Sequence, residues 1–262
     1  MNIGIIIPGV LGRMGSLIKN ESESDARHCF VGGTVRPGHT APSSSSESYY
    51  DNLDDVIQNP AAPCDAQVII DFSSPEACET HLDAAVRHNI PVVIGTTGLR
   101  ETTVQKIHEA TQSIPILLAA NTSLGANLLG ALSHVATEAL PESDIEISEI
   151  HHRKKKDAPS GTALMLGDIV ATARNPESPL EKNCTRHGEA LRTDGEVGIF
   201  GLRGGTVPGE HTVYFFLEGE RIELTHRVQD RSIFAIGALA AARTIATQEP
   251  GLYSMMDVLG FS

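Results

Sequence analysis

The stretch NIGIIIPGVLGRMG, Asn2 to Gly15, decides how the first half of the chain is read. It opens on an apolar, β-branched run and closes with Gly9, Gly12 and Gly15. An apolar run without alternation is a strand buried on both faces. In dinucleotide-binding folds the glycines after such a strand have three uses. They allow a tight turn, let the backbone approach a pyrophosphate, and let the next helix pack closely. The N-terminus of that helix then faces the phosphates with free N–H groups and the positive end of its dipole. The usual spacing is G-x-G-x-x-G; Leu11 stands at the middle glycine, which leaves G-x-x-G-x-x-G. An ordinary βα turn also uses glycines. Placement after the first strand of an alternating chain is what favours a dinucleotide.

Working outward, CFVGGTVR (Cys29–Arg36) reads as the second strand and ends in Val35 and Arg36. A carboxylate there would bind the ribose 2′-hydroxyl of NAD, whereas an arginine suits the 2′-phosphate of NADP. Short apolar runs at 66–73, 91–97 and 114–123 alternate with helical spacing at 75–89 and 99–113. That alternation predicts a parallel sheet covered on both faces. The loops GTTG (Gly95–Gly98) and AANTS (Ala119–Ser123) follow strands, at the end where such sheets bind ligands. The stretch at 39–52, rich in serine at 43–48, breaks the rhythm and reads as a polar surface loop.

After about Asn121 the pattern changes. Leu124–Leu140 and Ser160–Arg174 read as helices, and Ser232–Thr247 as a closing helix. Ser143–His152, Val197–Gly205, Glu210–Glu220 and Arg221–Gln229 read as strands. In the last, Ile222, Leu224, His226 and Val228 alternate with Glu223, Thr225 and Arg227, which predicts one buried and one wet face. The second part is therefore expected to be α+β with a mixed or antiparallel sheet.

The chain has 262 residues, a formal charge of -13, no tryptophan and 4% aromatics. That balance argues against nucleic acid and anionic membranes as partners, so an anionic ligand must be held by local positive potential. The apolar start is too short to span a membrane and lacks the charged front and cleavage site of a signal peptide. None of Cys29, Cys64, Cys78 and Cys184 lies in a C-x-x-C pair. The expectation is reduced thiols in a cytoplasmic protein.

Against this acidic background, EISEIHHRKKKDAPSGTAL (Glu146–Leu164) concentrates positive charge at Arg153 to Lys156. A basic run is often only a solvated face, and its position between strand and helix argues against a localisation signal. Adjacent residues on an extended chain point to opposite sides, so His151 and His152 are not expected to share a metal. Ser160, Gly161 and Thr162 before an apolar run read as an N-cap and first turn, which attracts a carboxylate. With His151, His152 and Lys155 nearby, such a site can hold a dianion and donate a proton. Burial and like-charge neighbours lower the pKa of histidine and lysine toward that task. The positive charge then serves a polyanionic small substrate.

Seven segments together resemble one known family. They are GVLGRMG (9–15), VIIDFSSPE (68–76), VIGTTG (93–98), AANTSLGANLL (119–129), EIHHRKKKDAPSGTAL (149–164), GLRGGTVPGEHTVYF (201–215) and ERIELTHRVQDRSIFAIGAL (220–239). The family is the dihydrodipicolinate (4-hydroxy-tetrahydrodipicolinate) reductases of lysine biosynthesis, and the resemblance covers nearly the whole chain. It implies hydride transfer from NADPH or NADH to a cyclic dicarboxylate, giving tetrahydrodipicolinate in the diaminopimelate route. It implies His151 and Lys155 as acid–base and proton-donor residues, and His152, Ser160, Gly161 and Thr162 as substrate contacts. Cofactor positions carried over are Gly9, Val10, Leu11, Gly12, Arg13, Met14, Arg36, Gly95, Thr96, Thr97, Ala119, Ala120, Asn121 and Thr122; no metal is implied. The implied α/β fold is a Rossmann-like dinucleotide-binding domain, 1–122 with 232–262, and a substrate and oligomerisation domain, 123–231, built on a mixed sheet. Members of the family pair into homotetramers. Two positions depart from the family: many members have an acid where Val35 stands and an aromatic residue where Thr122 stands. The first departure turns the expected preference to NADPH with NADH still usable; the second removes a stacking contact near the cofactor. Two other readings remain, a related oxidoreductase for a different small acid and an inactive NADP-binding sensor. Consumption of reduced nicotinamide with the freshly generated substrate separates them.

Overall fold

The computed structural model describes residues 2–36 and 49–261, so the serine-rich segment 43–48 lies outside the described residues. The chain divides into two compact units, Met1–Leu124 with Ser232–Ser262, and Gly125–Arg231.

In chain order the first unit contains β1 (Ile3–Ile7), α1 (Arg13–Glu23), β2 (His28–Thr34), β3 (Tyr49–Tyr50), α2 (Leu53–Ile57), β4 (Val68–Asp71), α3 (Pro75–His88), β5 (Val92–Ile94), α4 (Glu101–Ala110) and β6 (Pro115–Leu118). The strands pair in parallel in the order β12-β6-β5-β4-β1-β2-β3, where β12 (Gly251–Tyr253) comes from the end of the chain. The pleat sends Ile6 to one face and Ile5 and Ile7 to the other, and all three are 0% exposed. Val56 of α2, Leu82 of α3 and Ile107 of α4 close the Ile6 face. The opposite face is closed by Ile18 of α1, by Ala235, Ala238, Ala241 and Ala242 of α7 (Ser232–Ile245), and by Met255 of α8 (Met255–Leu259). Each fully buried isoleucine contributes about 1.5–3 kcal/mol, which is why these strands need no polar face. Helix α3 begins where it does because Ser74 Oγ accepts the Ala77 N–H and Pro75 fits the first turn; it ends at Asn89 in the left-handed region, φ 53.

From β1 the chain proceeds to β2 and β3 on one side, then to β4, β5 and β6 on the other. Strand order therefore reverses between β1 and β4, and a crevice opens outside the carboxyl ends at such a point.

The second unit contains α5 (Leu124–Ala139, beginning at the boundary), β7 (Asp144–His151), α6 (Gly161–Arg174), β8 (Glu181–Asn183), β9 (Glu196–Arg203), β10 (Glu210–Leu217) and β11 (Glu220–Arg227). The sheet order is β11-β10-β7-β9-β8. β10 is antiparallel to both neighbours, and β7, β9 and β8 run parallel. Ile145 and Ile147 of β7, Ile199 of β9 and Phe215 of β10 pack on Leu166 and Val170 of α6. The other face carries Ser148, Tyr214, Thr212 and Thr225, with Ser148 Oγ 3.2 Å from the Tyr214 hydroxyl.

Three expectations change. β11 alternates, yet Ile222 on its apolar side is 41% exposed, because β11 is an edge strand and the helix layer does not fully cover it. Tyr49 and Tyr50, read as loop, pair with Gly33 and Thr34 as a short edge strand. The cysteines are not all reduced: Cys29 is bonded to Cys64, leaving Cys78 buried and Cys184 exposed. Gly4 explains the pairing. A Cβ there would lie 1.8 Å from the Asp65 carbonyl oxygen, so the bare glycine lets the 64–65 backbone cross β1 and reach Cys29, the register neighbour of Gly4. Among the described residues no helix is long and apolar enough to cross a membrane.

Candidate active site

A cavity of about 710 Å³ opens in the first unit at the reversal of strand order. The loop after β1 lines it with Gly9, Gly12 and Arg13, the end of β2 with Val35 and Arg36, and the loop after β4 with Phe72 and Ser73. Gly9 turns the chain at φ +65. A Cβ at Gly15 would lie 2.4 Å from the Gly9 carbonyl oxygen, so α1 can pack on the turn only because that residue is glycine. Gly12 caps α1 with no side-chain hydrogen bond, which leaves the first-turn N–H groups for a ligand. Bare backbone, an open helix N-terminus and two arginines fit a dinucleotide pyrophosphate with its ribose end at Arg36.

Not every residue carried over from the family faces this cavity. Val10 is 0% exposed in the core, and its N–H donates to the Thr34 carbonyl. Leu11 and Met14 do line it. Gly95 does not; a Cβ there would strike the Phe72 ring at 2.2 Å, so the glycine seats that ring. Thr96 is buried, its hydroxyl 3.1 Å from Asp71 Oδ1, while Thr97 is exposed. Ala119 donates its N–H to Ile94, and Asn121 Oδ1 accepts from Ser123 N–H. Ala120 is exposed. Thr122 is 1% exposed and donates to the Phe234 carbonyl at 2.7 Å, which fastens the loop after β6 to α7. The sequence reading missed His81 and Asp51, both on the cavity wall. Asp71 at the end of β4 is buried and holds His81 Nδ1 at 2.7 Å and Ser73 Oγ at 2.6 Å. Burial pushes the Asp71 carboxyl up, and the His81 and Ser73 bonds outweigh it, so the carboxyl lies below its usual range.

The second unit assembles a charged cluster where β7 ends and α6 begins. Ser160 caps α6, its hydroxyl accepting the Ala163 N–H at 3.2 Å. The Ser160 N–H donates to Glu149 Oε1 at 3.1 Å. The same carboxylate, 0% exposed, accepts from His151 Nδ1 at 2.5 Å and from both terminal nitrogens of Arg203 at 2.8 and 2.7 Å. Burial pushes the Glu149 carboxyl up, but the Arg203 and His151 bonds prevail and hold it below the usual carboxylate range. Burial pushes His151 below the ordinary histidine value, and the Glu149 bond offsets only part of that. His211, against Ser160 Oγ at 2.9 Å, is pushed down to about 4 by burial and then by the charge of His151. Lys155 is not in this network; its Nζ donates to Asp157 Oδ2 at 2.9 Å. His152 donates its N–H to Val207, and its Nδ1 is buried with no partner among the described residues. Thr162 is half-buried beside Gly161, where a Cβ would meet nothing within 4 Å.

Sequence reasoning found His151, Ser160 and the helix start, but missed Glu149, Arg203 and His211. The local signal for Glu149 was its place two residues before His151, on the same face of one strand. Arg203 and His211 gave no local signal, because they lie on other strands.

A dinucleotide cradle on one sheet and a buried carboxylate–histidine pair beside an open helix start on another define a two-unit oxidoreductase. Residues 3–122 match the family Dihydrodipicolinate reductase, N-terminus, and residues 125–259 match Dihydrodipicolinate reductase, C-terminus. The chain belongs to the dihydrodipicolinate reductase family, whose members use a nicotinamide dinucleotide. It is 42% identical to the 4-hydroxy-tetrahydrodipicolinate reductase of Rubrobacter xylanophilus over 99% of each chain. It is 45% identical to that of Zymomonas mobilis, covering 99% of this chain and 97% of the relative. The fold matches a dipicolinate-bound dihydrodipicolinate reductase from Paenisporosarcina sp. TG-14 with a TM-score of 0.82, 23% identity, and 98% and 99% coverage.

Proposed function

We propose that the protein reduces 4-hydroxy-tetrahydrodipicolinate to tetrahydrodipicolinate in the diaminopimelate route to lysine, with NADPH preferred over NADH. In net terms one hydride and one proton enter the substrate and the 4-hydroxyl leaves as water. A bound reduced nicotinamide supplies the hydride. His151 holds the proton, and Lys155 exchanges its partner Asp157 for the substrate and serves as proton donor. The start of α6 at Ser160, Gly161 and Thr162, with His152, holds a substrate carboxylate. Residues 1–122 with 232–262 act as the dinucleotide-binding part, and 123–231 as the part for substrate and oligomerisation. The observation that carries the reading is the bond from Ser160 N–H to Glu149, which ties the anion-attracting helix start to the carboxylate that grips His151.

Gly161→Asp tests it with pyridine-2,6-dicarboxylate as probe. A Cβ at Gly161 meets nothing within 4 Å, so the added side chain starts without a clash, and an unchanged urea midpoint checks that the variant is folded. Dicarboxylate binding is expected to be lost through like charge. Unchanged affinity in calorimetry would place the anion elsewhere. The reading extends to a homotetramer, supported by Leu202 and Phe216 on the helix-free face of the second sheet, 52% and 38% exposed; a monomeric mass by light scattering removes that part. It also extends to the cytoplasm, where reduced dinucleotide is regenerated. The Cys29–Cys64 bond counts against this part, and alkylation of all four thiols after denaturing fresh lysate is the result that would support it.

A further inference from the structure

We infer that Glu149 is the positioning residue for His151: its carboxylate accepts the hydrogen bond from Nδ1–H, keeps the proton on Nδ1, and leaves Nε2 as the nitrogen that faces substrate. This rests on the reading of His151 as the proton-holding group. Glu149 is 0% exposed, yet each oxygen accepts two hydrogen bonds, from His151 and Arg203 on Oε2 and from Ser160 and Arg203 on Oε1. A carboxylate satisfied by that many donors stays anionic inside a protein. An anion 2.5 Å from Nδ1 requires a proton on Nδ1, so the neutral imidazole has its lone pair on Nε2. Nε2 makes no hydrogen bond among the described residues. It lies beside Gly209, where a Cβ would come within 2.9 Å of it, so any side chain at that position would block the nitrogen.

The consequence is chemical. When Nε2 picks up a proton, the imidazolium sits beside a fixed negative charge. When Nε2 gives that proton to substrate, the ring returns to the neutral Nδ1–H form and Glu149 stays ionised. Four groups face His151: Glu149 on its own strand, Lys155 in the following loop, Arg203 on β9, and His211 on β10, whose ring lies edge-on at 5.2 Å. Lys155 and Arg203 drive the proton off, His211 is neutral near pH 7, and only Glu149 retains it. Loss of the Glu149 charge should therefore make His151 release its proton at lower pH.

The test uses the full-length enzyme with ¹⁵N-labelled histidine, the His151→Ala spectrum giving the assignment. In the unmodified enzyme the neutral ring should show the proton on Nδ1. In Glu149→Gln the His151 midpoint should fall by about one pH unit, which cuts its protonated fraction at pH 7 by about tenfold. kcat should fall by a similar factor, its pH profile should move the same way, and KM should stay within about threefold, because a positioning residue acts on the chemical step. A proton on Nε2 in the unmodified enzyme overturns the inference, with no variant needed. So does a folded Glu149→Gln whose midpoint and pH profile do not move. Full turnover by His151→Ala is a different failure: it removes the acid–base reading, whatever the tautomer shows.

Discussion

The two units surround a helix start with different kinds of group. The first unit uses backbone: Gly9, Gly12 and Gly15 clear side chains away, and the start of α1 supplies N–H groups. The second uses ionised side chains packed out of water, with Glu149 at 0% exposure bonded to His151, Arg203 and the Ser160 N–H. A backbone cradle is insensitive to pH and suits a ligand that must bind and leave unchanged in shape. A buried charged network responds to protons, which suits the half of the reaction that moves one. The contrast predicts where single substitutions cost turnover and where they cost only affinity.

The largest effect should fall on the second unit. His151→Ala and Lys155→Ala should each lower kcat by about 10²–10⁴-fold, the usual contribution of a general acid. NADPH binding, followed by fluorescence of the reduced nicotinamide, should survive both. If either variant kept near-normal kcat, that residue would not be a proton donor. A loss of dinucleotide affinity instead would break the division of labour between the two cradles.

Acid should next distinguish the units. His211 is 4% exposed, and burial, then the charge of His151, push it down to about 4; Glu149 pulls the other way, and His226 and Lys155 push with His151. The sign follows from linkage. The unfolded chain binds a proton at His211 below about pH 6.5, while the folded chain resists it down to about pH 4. The stability that this difference confers is complete above pH 6.5 and is lost as pH falls through that window. The loss amounts to about 3 kcal/mol at full protonation. Urea unfolding of the unmodified enzyme at pH 7 and pH 5 should show the fall begin, and His211→Asn should show less of it. Equal pH dependence in both proteins would mean that His211 titrates normally in the fold.

How much of this could be read from the sequence follows the same division. The β1 run and the glycines after it were legible because a parallel strand and its cradle are local: the residues that turn, cap and pack lie within one short stretch. The helix start at Ser160 was legible for the same reason. Glu149, Arg203 and His211 were not, because their meeting depends on which strands are neighbours, and β9 and β10 flank β7 only after the sheet has formed. The Cys29–Cys64 bond was hidden too, since it depends on Gly4 letting a distant backbone cross the first strand. The bond from the Thr122 hydroxyl to the Phe234 carbonyl was hidden for the same reason, since it joins the loop after β6 to a helix from the end of the chain.

The smallest effect concerns which dinucleotide the first cradle prefers, and it depends on four side chains of one cavity. Arg36 is exposed on the wall, where it can give a 2′-phosphate a charge-assisted and bidentate contact. Val35 beside it supplies no acceptor for ribose hydroxyls and packs partly into the core. Arg13 adds positive potential from the glycine loop. Asp51, on the same wall and invisible to the glycine pattern, works the other way, since its carboxylate can accept from a ribose hydroxyl and repels a phosphate. A hydrogen bond to a charged group is worth roughly 1.5–3 kcal/mol, so one Arg36 contact should favour NADPH by about ten- to a hundredfold in kcat/KM. Val35→Glu should move the ratio toward NADH, Arg36→Ala should weaken NADPH selectively, and Asp51→Asn should raise the NADPH preference further. None of the three should change the pH profile of kcat, because the backbone cradle is remote from the proton chemistry in kind. Equal use of both cofactors by the unmodified enzyme, unaltered by Val35→Glu or Arg36→Ala, would show that Arg36 does not read the 2′-phosphate. Both cofactors would then be held through the bare backbone of the glycine turn, which meets the pyrophosphate they share and cannot tell them apart.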